Sequence, residues 1–165
     1  MPPDSIAPTE AARLCLDCGL CCSGVLFDEV RLERGDNPKA LTARGLKIKK
    51  GQWFNQPCTA LCGTLCQLYE VRPHRCREFV CRQFQQAADG TLDYESARLK
   101  IEEVKQLVAE LEGMLLEGGG GNVRKPLAQR YATALATCPE ALASKGLTKA
   151  MARLQAVLEQ DFRIG

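Results

Sequence analysis

Histidine and tryptophan occur once each in this 165-residue chain, and aromatic residues make up only 5% of it. The lone histidine, His74, rules out a His-Glu-x-x-His zinc motif. With aromatics so few, Trp53 and Phe54 supply the largest apolar contacts ahead of the second cysteine group described below. No apolar run approaches the roughly 18 residues a membrane-crossing helix needs. The first ten residues have neither a basic start nor an apolar stretch, so they do not read as a secretory leader, and a cytoplasmic protein is the expectation. Strong charge is missing too: the formal net charge is +2, which argues against a dedicated nucleic-acid binder. The run Gly118–Gly121 lacks the Gly-Lys-Ser/Thr ending of a phosphate loop and follows a helical pattern rather than a strand, so it reads as a connector. No Gly-x-Ser-x-Gly elbow occurs either.

Cysteine, by contrast, is abundant. The stretch Cys15-Leu16-Asp17-Cys18-Gly19-Leu20-Cys21-Cys22 places four sulfurs within eight residues. Cys58, Cys62, Cys66, Cys76 and Cys81 follow, so nine of the ten cysteines lie between positions 15 and 81, and Cys138 stands apart. In a reducing compartment such clusters mean metal or redox chemistry rather than disulfides. A secreted scaffold of five bridges is the rival reading; the missing leader and the crowding of cysteine into one half oppose it. Thiolates are soft anionic donors that suit zinc and iron–sulfur clusters, not magnesium or calcium. A Cys-x2-Cys turn presents two sulfurs to one ion, and this spacing occurs twice, at Cys15/Cys18 and Cys18/Cys21. The adjacent pair Cys21–Cys22 is harder to place on a single ion, because consecutive side chains diverge. Two centres, or one cluster with bridging sulfurs, would explain both. Structural zinc takes four ligands, so eight cysteines would complete two sites, with Cys62 as the spare. The start Cys-x2-Cys-x2-Cys also resembles a ferredoxin motif, without its fourth spacing or its Cys-Pro ending. Eight thiolates offset by two divalent ions would lower the net charge by four, from +2 to −2.

His74, between Pro73 and Arg75, is read mainly as a bystander to the sulfurs. Arg72, Arg75, Arg77 and Arg82 crowd the second cysteine group and suit hydrogen bonds to anionic thiolates. Cys138 reads as a buried thiol without a metal role.

The remaining elements follow from pattern. Thr9 caps a short helical turn over Glu10–Leu14, and residues 15–22 form a tight loop using Gly19. Val25–Phe27 and Val30–Leu32 read as extended. A helix starts at Asp36-Asn37-Pro38 and ends at Gly45, and Leu46–Lys49 alternates like a half-buried strand. Residues 58–66 read as loop, and Pro73 opens a helix over 73–88. Cys76 and Cys81 would then point about 140° apart at 100° per residue, so that helix is distorted or its two sulfurs serve different centres. Ile101, Val104, Leu107, Val108, Leu111, Met114 and Leu115 mark an amphipathic helix of about 20 residues. Further helices start at Pro126, after Pro139, and near Thr148, the last with Met151, Leu154, Val157 and Leu158 on one face.

The residues around the cysteines carry a family resemblance. Cys15-x2-Cys18-x2-Cys21-Cys22, then Pro57-Cys58, then Cys66-x2-Tyr69-Glu70-x-Arg72-Pro73-x2-Cys76-Arg77-x-Phe79-x-Cys81 resembles the YkgJ-type CxxCxxCC cysteine-cluster family, a zinc- or iron-chelating domain, over about residues 15–81. The resemblance implies metal binding by Cys15, Cys18, Cys21, Cys22, Cys58, Cys66, Cys76 and Cys81. Cys62 lies outside the pattern. A distant branch is the cysteine domain of flagellin lysine N-methylase, a much longer chain. Methylase activity is not carried over, since no S-adenosylmethionine loop is recognisable here.

The expectation is therefore a mainly α protein with an irregular, metal-stapled, cysteine-rich lobe at residues 1–90 and a small helical lobe at 91–165. The metal-binding protein would hold zinc, two ions in the first reading, mainly for structure. The alternatives are an iron–sulfur-dependent redox or modifying enzyme and a zinc or iron buffering protein. A protein partner or a homodimer through the helical lobe is expected, with no membrane and no nucleic acid.

Overall fold

The computed structural model describes residues 9–118, 121–140 and 146–164. The expected N-terminal tail, the middle of the four-glycine connector and most of the short helix after Pro139 lie outside these residues. Helix α1 (Glu10–Cys18) begins where Thr9 Oγ1 accepts the Ala12 N–H at 3.3 Å. It runs a full turn beyond the expected Glu10–Leu14, so Cys15 and Cys18 stand on a helix, not in a loop. The reason is packing: Ala11 and Leu14 are buried, and that face holds the helix together past its weak local signal. Gly19 ends it with φ 70°, the left-handed conformation that favours glycine. A Cβ there would also come within 3.3 Å of the Thr64 Cα, so two reasons converge on one residue.

Strand β1 (Glu29–Arg31) pairs antiparallel with β2 (Trp53–Asn55), Val30 opposite Phe54. Between them lies α2 (Pro38–Ala43), capped by Asn37 with Pro38 in its first turn, as expected. Leu46–Lys49 forms no strand. Its single ladder contact is a bridge from Lys49 to Trp53. The Leu46 N–H is instead spent on the Leu41 carbonyl, closing α2, and Leu46 is buried as a plug rather than as one tooth of a sheet. The loop expected over 58–66 contains a small hairpin, β3 (Leu61–Cys62) with β4 (Leu65–Cys66).

The single helix expected over 73–88 is broken. After a 3-10 turn (Tyr69–Val71), α3 (His74–Glu78) stops at Phe79, whose backbone is extended, and α4 (Arg82–Asp89) restarts at Cys81. The break lets the Phe79 ring pack edge-on against Phe27, centroids 4.8 Å apart. The Cys81 sulfur then caps α4 by accepting the Phe84 N–H at 3.4 Å.

Helix α5 (Tyr94–Glu117) is the longest, at 24 residues, with Asp93 as its cap. Its buried stripe of Ala97, Ile101, Val104, Leu107, Leu111 and Leu115 lies against α7 (Leu147–Asp161), which buries Leu147, Met151, Leu154 and Leu158. Helix α6 (Leu127–Thr137) joins from the side. Leu14, Leu20 and Leu26, from before position 90, belong to this same apolar cluster. The tie is backbone as well: the Leu127 N–H donates to the Gly24 carbonyl at 2.9 Å. A Cβ on Gly24, whose φ is 81°, would stand 3.1 Å from the Pro126 Cα. A second, smaller cluster gathers Leu41, Leu46, Phe54, Ala60 and Leu68. The protein is thus mainly helical, with two short hairpin-like pairings and most of its cysteines between two apolar clusters. Among the described residues no helix is long and apolar enough to cross a membrane.

Candidate metal centre

Five chain segments carry the sulfurs. The last turn of α1 carries Cys15 and Cys18, three residues apart and so on one side of the helix. Cys21 and Cys22 follow in the turn after Gly19, where the N–H groups of Cys22 and Ser23 both donate to the Gly19 carbonyl at 3.1 Å. The Cys58 N–H donates to the Cys22 carbonyl at 2.8 Å, and the Gln56 side-chain amide donates to the Cys21 carbonyl at 3.2 Å. These two bonds lock the second cysteine group to the first across 35 residues of chain. Cys66 comes from β4, Cys76 from α3, and Cys81 from the start of α4. All ten thiols are unbridged.

The cysteines sort into two sets by what they pack against. Cys18, Cys21 and Cys81 lie on the large apolar cluster, whereas Cys58, Cys66 and Cys76 lie on the small one. Their charges sort the same way except at Cys22, which acts on both sets. Burial pushes the Cys76 thiol up to about 12, helped by neighbouring Cys22, Cys58 and Cys66. Burial lifts Cys58 to about 11, with Cys22 and Cys66 adding to it. Cys18 rises to about 12, from burial and then from Cys81 and Cys15. Cys15 rises to about 11, from burial and then from Cys81, with Cys22 a smaller influence. Cys22 is raised chiefly by its hydrogen bond with Cys21, then by burial. Burial also raises Cys66 and Cys81. The broken helix at residues 79–81 is what separates Cys76 from Cys81, which resolves the angular conflict read from the sequence.

A cleft of about 500 Å³ opens between the clusters, and Cys15, Cys21, Cys22, Cys58, Cys66 and Cys76 line it. Cys18 and Cys81 do not line it. Of the four arginines expected near the sulfurs, only Arg72 opposes the rise of these thiols, acting on Cys15, Cys22, Cys66 and Cys76. Its guanidinium lies 3.8 Å from the Tyr69 ring centroid, and its Nε donates to the Tyr69 carbonyl at 2.8 Å. Arg75 instead pairs with Glu33 at 2.7 Å, and Arg82 reaches the Gln160 carbonyl. Cys62 is exposed in β3 and outside the cleft lining, and Cys138 ends α6, in neither cysteine set. Gln56 escaped the sequence reading. It is 1% exposed, lines the cleft, and its Oε1 is buried without a hydrogen-bond partner. The signal available was a polar residue immediately before Pro57-Cys58.

The donor set fits a soft metal: several free sulfurs face one cleft, and a buried amide and a stacked guanidinium stand beside them. The spacing is open. Among the described residues no three cysteine sulfurs lie within 4.8 Å of one another. A lone tetrahedral zinc with 2.3 Å bonds would hold its sulfurs about 3.8 Å apart.

These thiols set a pH rule. With folded values of about 11 to 12 against an ordinary 9.0, Cys15, Cys18, Cys58 and Cys76 are protonated at pH 7. Each thiol that takes up a metal must therefore release its proton, so metal affinity rises with pH. Calorimetric titration at pH 7 in buffers of different ionisation enthalpy should give about four protons per four-thiolate centre filled. In the metal-free protein the folded state keeps these protons longer than the unfolded state does. Its stability is therefore full below pH 9 and falls as pH rises towards 12. Denaturant midpoints measured from pH 8 to 11 check the second half of this rule.

Sulfurs gathered from five segments, with little else to do chemically, define a cysteine-rich metal-chelating domain with helices packed against it. Comparison with known families agrees: a family model named CxxCxxCC, "putative zinc- or iron-chelating domain", matches residues 14–106, and the chain belongs to that family. No curated protein and no solved structure compared with the chain matches it.

Proposed function

We propose that the eight cysteines act as two adjacent four-thiolate centres, Cys15, Cys18, Cys21 and Cys81 in one, Cys22, Cys58, Cys66 and Cys76 in the other. The division of Cys18, Cys21 and Cys81 from Cys58, Cys66 and Cys76 between the two apolar clusters carries this reading, with Cys15 joined to the first set through Cys81 and Cys22 to the second through Cys58 and Cys76. In it, metal links segments with little apolar surface of their own, and so strengthens the fold between α1 and α4. The open sulfur spacing favours a group of several metal atoms, an iron–sulfur cluster, over a lone zinc ion in each set. One observation fits zinc as well: Cys22 is raised chiefly by its hydrogen bond with Cys21, which sets the two thiols side by side, one for each of two ions.

Elemental analysis and a visible spectrum on protein purified without oxygen test this. Iron with sulfide and a brown colour is the expected result. Two zinc ions per chain and no colour would overturn the cluster and keep the two-centre chelation. Substoichiometric metal of every kind after anaerobic purification and reconstitution would overturn both.

A further inference from the structure

Beside the sulfurs, Glu33, His74 and Glu78 bring three donor atoms together, and they are the one such non-thiol group among the described residues. His74 Nε2 lies 3.1 Å from Glu78 Oε1 and 3.8 Å from Glu33 Oε2. An ion with bonds of about 2.1 Å separates neighbouring ligands by roughly 3.0 to 3.5 Å, so the group needs little closing to grip one. Two features hold it in place. His74 and Glu78 sit one turn apart on α3, on the same face. Glu33 comes from the loop after β1, and Asp36 fixes that loop to α3: its Oδ2 accepts the Glu33 N–H at 2.8 Å and its Oδ1 accepts the His74 N–H at 2.9 Å.

The oxygens are also divided usefully. Arg75 takes Glu33 Oε1 at 2.7 Å, which orients the carboxylate and leaves Oε2 towards His74. The side chains of Glu33, His74 and Glu78 are 36%, 42% and 65% exposed, so water or a small ligand can complete the coordination. Glu78 and Arg75 also line the cysteine cleft, which places this group at its rim.

We propose that Glu33, His74 and Glu78 form a second, independent site for a divalent first-row cation, with one nitrogen and two oxygen donors and open positions. Its donors are harder than thiolates, so it selects a cation the sulfurs do not. Mn²⁺ is the probe for that reason, and the site does not depend on which metal the cysteines hold.

The test is a Mn²⁺ titration of the full chain, as purified, followed by electron paramagnetic resonance. One Mn²⁺ per chain should bind, with a hyperfine coupling to an imidazole nitrogen. His74→Gln should abolish that coupling and weaken binding at least tenfold. Glu78→Gln should weaken binding at least tenfold with the coupling kept, and Glu159→Gln should change nothing. The cysteine-bound metal content, measured in parallel, should be equal in all four proteins, which shows that the variants fold. Failure to bind Mn²⁺ at millimolar concentration, or unchanged binding in His74→Gln, would overturn the proposal. Neither result bears on the thiolate centres.

Discussion

Cys22→Ser should strip the protein of at least half its bound metal and destabilise the region between α1 and α4. Cys22 is the residue where the two cysteine sets meet. Its sulfur is hydrogen-bonded with Cys21, it raises the thiols of Cys15, Cys58, Cys66 and Cys76, and its carbonyl holds the Cys58 N–H at 2.8 Å. Serine keeps the backbone bond but offers a hard, weakly acidic oxygen to a soft metal. Structural metal supplies about 10–16 kcal/mol in small zinc-finger peptides, as much as the whole stability of an ordinary domain, so losing one centre is not a small perturbation. Elemental analysis gives the metal content, and hydrogen exchange shows which amides open. Cys138→Ser and Cys62→Ser, by contrast, should keep full metal and change stability by under about 0.5 kcal/mol. Full metal in Cys22→Ser, or an empty site in Cys138→Ser, would show that the sulfurs are assigned wrongly.

The second large effect lies in the helices. Leu111→Ala should cost about 3 kcal/mol. Leu111 is fully buried on α5 in the cluster that joins α5, α6 and α7, and large-to-small changes at such sites cost 2–5 kcal/mol from lost transfer energy and the cavity left behind. Leu99→Ala, on the same helix but 60% exposed, should cost under about 0.5 kcal/mol. Urea midpoints on the metal-loaded protein, at constant slope, measure both. The large cluster also supports Cys18, Cys21 and Cys81. A shift in the unfolding midpoint that leaves metal content unchanged below the transition would show that the helices can weaken without emptying the sulfurs.

Much of the helical architecture was legible. The Thr9 cap, the α2 start at Asn37-Pro38 and the apolar stripe of α5 each stand where pattern put them, because capping and 3.6-residue periodicity are local properties. The errors fall where a distant partner overrides a local preference. Leu46–Lys49 alternates like a strand, yet β1 pairs with β2 and leaves it without a ladder. The helix over 73–88 breaks because Phe79 finds Phe27, about 50 residues earlier. Cys15 and Cys18 look like loop residues, but the buried face of α1 carries the helix through them. Arg75 looked like a partner for thiolates, yet Glu33, 42 residues away in sequence, claims it.

The sequence by itself determined that this is a metal-chelating cysteine-cluster protein, because donor chemistry and short Cys-x2-Cys spacings are written in adjacent residues. It also marked α2, α5 and the last helix, since caps and periodicity act within a few turns. Only the tertiary structure decided which sulfurs are neighbours. Grouping Cys22 with Cys58, Cys66 and Cys76, and Cys18 with Cys15 and Cys81, depends on two apolar clusters closing long stretches of chain. It likewise brought Glu33 to His74 and Glu78 through the Asp36 clamp. Contacts of that range depend on packing of the whole chain, and no local pattern encodes where its distant parts will meet.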